Sequence, residues 1–472
     1  MLERSLLHFD NAYYLPHVEM IGKVCFTNIP SNTAFRGFGG PQGIVAIENI
    51  LQEIARDLQL DPFQVQHRNL YGVGDRNITP YGQIVRRNHL PEIMSTLVAS
   101  SQYQQRRAAI EAANQTDKLR LRGIAVTPMK FGISFTTKFL NQGNALVNIY
   151  TDGTIQVSTG ATEMGQGVNT KIRQLVADEF GLHYDRVLLM PTSTEKNPNT
   201  SPTAASASTD LNGAAAVRAC QTLKERLATL AAKKLASQEL GLTESPECVL
   251  FEAGYVFDRR NPAQRIPFPQ LCRDARLERV DLGARGFYAT PGVDYNRETG
   301  RGNPFLYYTQ GAAVAEVEID RFTGDLRVPR VDLLIDIGRS INPAVDRGQI
   351  IGGFIQGMGW VTAECLVYND QGSLLSHSPT TYKIPAITDL PSILNCEFFD
   401  NDDNEENVAR SKAVGEPPLM LAISVWTAVK NALSQLVTTE DLRLPATGEE
   451  ILRQLSRPIP VRETQKLTSA YQ

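Results

Sequence analysis

Two alternating stretches stand out along the 472-residue chain. In "NALVNIYTDGTIQVSTG" (144–160), apolar and polar positions alternate on both sides of Thr151-Asp152-Gly153, which predicts a β-hairpin about that turn. "AAVAEVEIDRFTGDLRVPRVDLLIDIG" (312–338) repeats the pattern about Thr323-Gly324-Asp325. A helix is predicted after each, over 168–180 and from Asn342-Pro343 onward. Upstream, Ile47, Ile50, Leu51, Ile54 and Leu58 recur at helical spacing and predict a buried apolar face on a helix that begins near residue 43. Asp61-Pro62 reads as the cap and first position of the next helix. Residues 100–121 are polar and helical in pattern, suited to lead from one domain to another. "PPLMLAISVWTAV" (417–429) predicts a buried helix ending at Lys430. Strands come as hairpins followed by helices, not as alternating single units. The fold class is therefore α+β, with mixed or antiparallel sheets.

Composition narrows the function classes. The net charge is −4, with 21% charged residues, so no basic excess points to nucleic acid. Glu3 and Arg4 interrupt what a secretory leader would need as an apolar core, and no uncharged run is long enough to span a membrane. The six cysteines show no CxxC spacing and the six histidines no HxH or HExxH. Neither pattern offers a zinc or iron–sulfur site on this chain. The expectation is a reduced, cytoplasmic setting with buried free thiols.

"SNTAFRGFGGPQG" (31–43) holds four glycines, two phenylalanines and one arginine. A dinucleotide fingerprint fails at Gln42, and a Walker loop fails for want of Gly-Lys-Ser/Thr. A plain turn stays open as a reading. Against it, Phe35 and Phe38 flank Arg36, as a flat ligand's face would require, and a helix N-terminus follows.

Five further stretches share this character: "KFGISFTTKF" (130–139), "GATEMGQGVNTK" (160–171), "SPTAASASTDLNGAA" (201–215), "GGFIQGMG" (352–359) and "SKAVGEPPLM" (411–420). In this order, with the glycine-rich stretch, they resemble the molybdopterin-binding part of the xanthine dehydrogenase/aldehyde oxidase family of molybdenum hydroxylases. The resemblance covers the chain to about residue 450. It implies two unequal molybdopterin-binding domains: the C-terminal part of a first one over 1–115, a second over 120–455, and a tail at 456–472. It also implies a molybdenum–molybdopterin cofactor with a sulfido ligand, the metal held through the pterin dithiolene and not by protein side chains.

By the same resemblance, Arg36, Gln166, Ala204, Ala205, Ser206, Ser208, Thr209 and Gln356 would meet the cofactor. Phe38 and Phe135 would sandwich a substrate ring, and Thr136 would offer it a hydroxyl. From the residues alone, Gln166 could equally be a local cap, and the Ser/Thr run a loop with an N-cap. The glycines at 352, 353, 357 and 359 are costly in a helix, which calls for close packing against a neighbour or cofactor.

Glu416 is the candidate base. It lies between Gly415 and Pro417-Pro418, which restrict it to extended backbone, in an apolar stretch that should desolvate it and raise its pKa. In the family this glutamate takes the proton from the molybdenum-bound hydroxyl that attacks a ring carbon, while hydride passes to the sulfido ligand. Arg4 matches an arginine that faces the substrate in members oxidising xanthine and is lacking in aldehyde oxidases. The resemblance thus implies conversion of hypoxanthine or xanthine to urate, with an aldehyde or other N-heterocycle hydroxylase as the alternative.

The family's upstream half carries a second glutamate, a glutamine near the metal and another glycine-rich loop, and this sequence holds no counterpart of them. The 2Fe-2S and FAD modules are expected on other domains or subunits, in an oligomeric assembly. Residues 1–40 should look incompletely packed for want of those neighbours. A split subunit, a truncated product and a module that holds pterin without turnover all stay open; the intact Glu416, Arg4, Phe38 and Phe135 weigh against the last.

Overall fold

In the computed structural model of this protein, residues 1–236 and 243–456 are described. Of the tail at 456–472, all but Ser456 lies outside them.

Five helices come first: α1 (Leu2–Leu6), α2 (Gly40–Asp57), α3 (Pro62–Asn69), α4 (Leu90–Ser100) and α5 (Tyr103–Thr116). Next come β1 (Arg120–Ile133), the hairpin β2 (Gln142–Ile149) and β3 (Ile155–Thr159), α6 (Val168–Glu179), β4 (Val187–Leu189) and α7 (Ala214–Leu235). A small antiparallel sheet, β5 (Val249–Glu252), β6 (Tyr255–Asp258) and β7 (Arg265–Pro267), leads through α8 (Phe268–Leu277) to β8 (Gly283–Ala289). A ribbon of β9 (Asp294–Asn296) and β10 (Arg301–Asn303) precedes the long hairpin β11 (Tyr307–Asp320) and β12 (Leu326–Asp336). The described residues close with α9 (Pro343–Thr362), β13 (Ile393–Phe398), α10 (Pro417–Leu421), α11 (Ile423–Leu433) and α12 (Gly448–Leu455).

Two four-stranded sheets organise these elements. One has the order β1-β11-β12-β13 and the other β4-β3-β2-β8. Each has two antiparallel pairings and one parallel pairing, at β12/β13 and at β3/β4. The class is α+β with mixed sheets, as the hairpin-plus-helix pattern predicts. One apolar core runs through both sheets. A second joins Ile47, Leu51, Leu90, Ile93 and Ile110 to Ile124 and Val126 of β1 and Val314 of β11. The helices before residue 117 therefore share a core with the first sheet instead of enclosing one of their own.

The predicted caps are present. Asp61 Oδ1 accepts from Phe63 N–H (3.0 Å) and Asn342 Oδ1 from Val345 N–H (3.1 Å). The stretch after Pro417-Pro418 is buried as expected but forms two helices, broken at Ala422.

Helix α2 departs from its apolar stripe. Ile47 and Leu51 are buried, but Ile50, Ile54 and Leu58 are 40–59% exposed. The buried face runs through Ile44, Glu48, Gln52 and Ala55, about a quarter-turn away. Glu48 accounts for the rotation. Its carboxylate accepts from Tyr13 Oη–H (2.6 Å), Asn11 Nδ2–H (2.7 Å) and Gln66 Nε2–H (2.9 Å), and it is fully buried. Burial outweighs these three donors and pushes its pKa to about 7. Between pH 4.5 and 7 the native state thus holds a proton that the unfolded chain has lost. This group's contribution to stability is full below about 4.5, falls as pH rises, and levels off above 7. Glu48→Gln should remove that slope, worth about 3 kcal/mol, in urea unfolding at pH 5 and 7.5.

The N-terminal forty residues divide in two. Residues 1–13 are packed, because α2 presents Gly39 and Gly43 to α1: a Cβ on either would lie 2.2 Å from the carbonyl oxygen of Met1 or Ser5. Residues 16–35 are almost entirely exposed and outside regular structure, and only there does the expected incomplete packing hold. Among the six cysteines, which form no disulfide, Cys25 and Cys365 are exposed, so burial holds for the other four only. Among the described residues no helix is long and apolar enough to cross a membrane.

Candidate active site

Four of the small-residue stretches meet at Arg36 and Glu416. Arg36 is the second residue of the first of two tight turns, Phe38 N–H to Phe35 O and Gly40 N–H to Gly37 O, that lead into α2. Its Nε–H donates to Gly415 O, Nη1–H to Gln356 Oε1 (3.2 Å) and Nη2–H to Gln349 O (3.4 Å). Thus one guanidinium ties the glycine-rich stretch to α9 and to the residue preceding Glu416.

Glu416 is gripped from the other side. Its N–H donates to Ser206 Oγ (2.7 Å), and the Ser206 hydroxyl donates to Glu416 Oε2 (3.0 Å). Ala205 and Ser206 both take left-handed backbone, φ +53° and +56°, which turns the hydroxyl toward this carboxylate. These clamps reverse the backbone expectation. Glu416 has φ −90° and ψ −41°, near-helical and not extended, because its carbonyl accepts from Leu419 N–H (3.1 Å) and Pro417-Pro418 open α10. Its side chain is half-buried, so the apolar neighbours desolvate it only in part.

The glycines of α9 have a packing cause. A Cβ on Gly353 would lie 3.0 Å from Arg36 Nη2 and from Pro418 Cβ, and one on Gly357 would lie 2.3 Å from Leu419 O. They let α10, and hence Glu416, approach α9 closely. Gly165 and Gly352 instead border open space.

Arg4 lies deeper than a solvated arginine, at 5% exposure. Its Nη1–H donates to Ser134 O (2.9 Å) and Nη2–H to Gly132 O (3.1 Å), with Phe131 and Phe305 rings each 5.0 Å from the guanidinium carbon. Burial lowers the pKa of both Arg4 and Arg36, and in each the charge on Glu416 is the leading opposing influence. Glu416 therefore sits within electrostatic reach of both cations.

The remaining candidates are placed as follows. Phe38 has φ +48° and is 40% exposed. Phe135 is half-buried beyond the end of β1, with its N–H donated to Asn141 Oδ1 (2.8 Å). The Thr136 hydroxyl donates to Glu3. Gln166 closes on its own loop, donating to Thr162 O (2.8 Å) and accepting from Met164 N–H (2.5 Å). That loop touches α9, where Val345 abuts Gly167 and Gln349 Nε2–H reaches Gly165 O (3.5 Å). Ala204 is exposed, and Ser208 and Thr209 are half-buried where a π-type turn, Thr209–Gly213, leads into α7.

Several supporting residues carry no motif. His8 Nε2 accepts from Gly132 N–H (3.1 Å), so the proton sits on Nδ1, which donates to Arg4 O (2.8 Å). Burial and the charges of Arg4 and Lys130 hold its pKa well below 6.5, and the ring stays neutral. The segment before Glu416 is tied down at successive residues. Lys412 pairs with buried Asp336; Ala413 N–H donates to Tyr307 Oη (2.9 Å), and Ala413 O accepts from Thr309 Oγ1–H (2.9 Å). Tyr307 in turn donates to Asp210 (2.7 Å), whose pKa burial raises to about 6. Of the side chains tying down this segment, only Lys412 and Asp210 lie inside the quoted stretches, at 411–420 and 201–215.

The guanidinium, amide and hydroxyl groups gathered here suit an anionic organic group rich in hydrogen-bonding atoms. Among the described residues no group of three or more His, Cys, Asp or Glu side chains is arranged to hold a metal ion.

Family models of the molybdopterin cofactor-binding domain match residues 96–391 and, separately, residues 1–70. A xanthine dehydrogenase of Dictyostelium discoideum is 42% identical over 460 residues, which is 96% of this chain and 32% of that protein. A xanthine dehydrogenase/oxidase of Mus musculus gives the same figures. The chain thus spans about a third of the length of these relatives. Among solved structures, quinoline 2-oxidoreductase from Pseudomonas putida 86 superposes with a TM-score of 0.80 at 25% identity, over 97% of this chain and 57% of that one. Aldehyde oxidoreductase from Desulfovibrio desulfuricans shares the fold, with a TM-score of 0.77 at 23% identity, over 96% of this chain and 45% of that one. On the match over 96–391 and the converging site, the chain belongs to the molybdopterin cofactor-binding domain family.

Proposed function

We propose that this chain is the molybdenum-cofactor-binding portion of a xanthine dehydrogenase-like hydroxylase that oxidises purines with water-derived oxygen. The observation that carries the reading is the convergence of Arg36, Gln356, Ser206 and Glu416 from four separate stretches. Arg36, Gln356 and the Ser206–Thr209 turn would hold the cofactor, with Gln166 and Ala204–Ala205 at its edge. The cofactor, when bound, would supply the two-electron acceptor and the activated oxygen.

Glu416 would accept the proton released as that oxygen bonds to the ring carbon. Its partial burial and the Ser206 hydroxyl hold Oε2 in one place for the transfer. Phe38 and Phe135 would bracket the ring and Thr136 would bond its polar edge. Arg4 would offset negative charge that builds on the purine, with three of its five N–H groups still free of protein carbonyls. Domains 1–115 and 120–455 would act together, which their shared core favours. Electrons would leave through 2Fe-2S and FAD groups on other domains or subunits of an oligomer. The setting would be the cytoplasm, where free thiols persist.

The test is co-expression with the polypeptide that carries the rest of the relatives' molybdopterin-binding residues. Molybdenum content should be low for the chain alone and near stoichiometric for the pair. In the pair, Arg4→Met should lower xanthine oxidation at least about tenfold more than oxidation of a simple aldehyde, which has no ring to bear the charge. Equal losses on both would make Arg4 structural and defeat the purine assignment. Stoichiometric metal without pterin would defeat the whole reading.

A further inference from the structure

The chain between Tyr14 and Phe35 is unlike the rest of the molecule. Among the described residues, positions 15–34 take part in no hydrogen bond, backbone or side chain. Most of them are exposed. Yet the sequence across 17–28 is that of a half-buried strand. Val18, Met20, Val24 and Phe26 share one parity against His17, Glu19, Lys23 and Thr27, with Gly22 and Asn28 interrupting the first set and Ile21 and Cys25 the second. Val24 is 84% exposed and Phe26 fully so. A solvated loop has no use for this periodicity, and a free strand edge with a bare phenylalanine is a liability that proteins normally cover.

Two contacts keep the segment laid along the body. A Cβ on Gly22 would meet Leu2 at 2.5 Å, and one on Gly372 would meet Asn28 O at 3.1 Å. Gly372 turns a short hairpin, closed by the Tyr368–Leu374 bridge, which carries exposed Leu366 and Leu375 of its own. The segment thus runs from α1, which carries Arg4, to a second apolar arm.

We infer that residues 17–28 are a strand awaiting its neighbour, and that a β-strand of the polypeptide supplying the rest of the relatives' length adds to it. The inference rests on the proposed function, since it names the surface through which that assembly forms. The curated relatives carry about two-thirds of their length outside the matched region, and the segment lies against Leu2 of α1, the helix that carries Arg4. Main-chain bonds along 17–28 would give affinity, and a pocket for Phe26 would set register. Docking would also bury the segment linking Arg4 to Arg36, so assembly and site completion would be one event.

The experiment uses the full chain, alone and with the co-expressed polypeptide. Amide hydrogen exchange over 17–28 should be fast in the chain alone and slow at least about 100-fold in the complex. Alkylation of exposed Cys25 should slow in parallel. Lys23→Pro and Val24→Pro each remove an N–H, on opposite edges of the strand. Neither should change the melting of the chain alone, because no bond there is lost. At least one should weaken the complex by about 100-fold.

A complex in which 17–28 stay open, and which both proline variants form as well as the wild type, overturns the strand and leaves the functional reading standing. Protection that rises with concentration in the chain alone assigns the edge to a second copy and overturns the inference too. Failure of the wild-type chain to form any complex overturns both.

Discussion

In the assembled enzyme, Glu416→Gln should lower turnover by about 10²–10⁴-fold while molybdenum and pterin content stay at the wild-type level. The substitution keeps the shape of the side chain. It keeps an oxygen that can accept from the Ser206 hydroxyl, and it leaves the Glu416 N–H bond to Ser206 Oγ untouched. The link from Arg36 to Gly415 is to a backbone carbonyl and is equally indifferent to the change. What disappears is the capacity to take a proton, together with the negative charge that acts on Arg4 and Arg36. The loss should therefore fall on kcat and on kcat/KM alike, the signature of an interaction made in the transition state. Ser206→Ala gives the contrast. It frees the carboxylate without neutralising it, so turnover should drop less, and Glu416→Gln on top of it should add little to the loss from Glu416→Gln alone. A Glu416→Gln enzyme with full cofactor and near-normal turnover would remove Glu416 from the chemistry.

How much of this was legible in the sequence depends on the range of the interaction. Hairpins, caps and the α+β class are set by neighbours a few residues apart, and the alternation about Asp152 and the Asp61 and Asn342 caps predicted them well. The face of α2 did not follow from its own residues. Its orientation is set by Glu48, drawn inward by partners on other elements, and a rule that counts apolar residues cannot see a buried carboxylate coming. Glu416 shows the same limit on the backbone. The restraint imposed by a following proline is real, but Ser206, 210 positions away, overrules it. The clustering of Arg36, Gln356, Ser206 and Glu416 was accessible only because the stretches occur in a family's order; each spacing alone says nothing about contact. The roles of His8 and Asp336 left no trace, since single polar residues in mostly apolar elements look like any others, and Asp210 lay inside a quoted stretch without its partner Tyr307 being legible.

Breaking the buried pair between Lys412 and Asp336 should be strongly destabilising. Both side chains are at most 2% exposed. Asp336 also accepts from Gly338 N–H (2.9 Å) and Asn401 Nδ2–H (3.1 Å), so three donors converge on its carboxylate. Lys412→Met keeps the length and apolar stem of the lysine but leaves that carboxylate buried without its cation. The expected cost is about 3–5 kcal/mol, a large share of the roughly 5–15 kcal/mol that folded domains have. Denaturant unfolding of the chain should show it as a lower midpoint with an unchanged slope. Adding Asp336→Asn removes the stranded charge and still offers an oxygen to Gly338 N–H, so the double variant should recover at least half of the loss. If the double variant is as unstable as Lys412→Met, a stranded carboxylate is not the cause of the loss, and charge compensation is not what Lys412 contributes. The same pair bears on function through position. Lys412 N–H donates to Ile337 O (2.7 Å), and Ala413 is held on both its polar atoms, so Glu416 hangs four residues from a rigid anchor. Lys412→Met should loosen that anchor and lower turnover even under conditions where the chain stays folded, and the double variant should restore turnover along with stability.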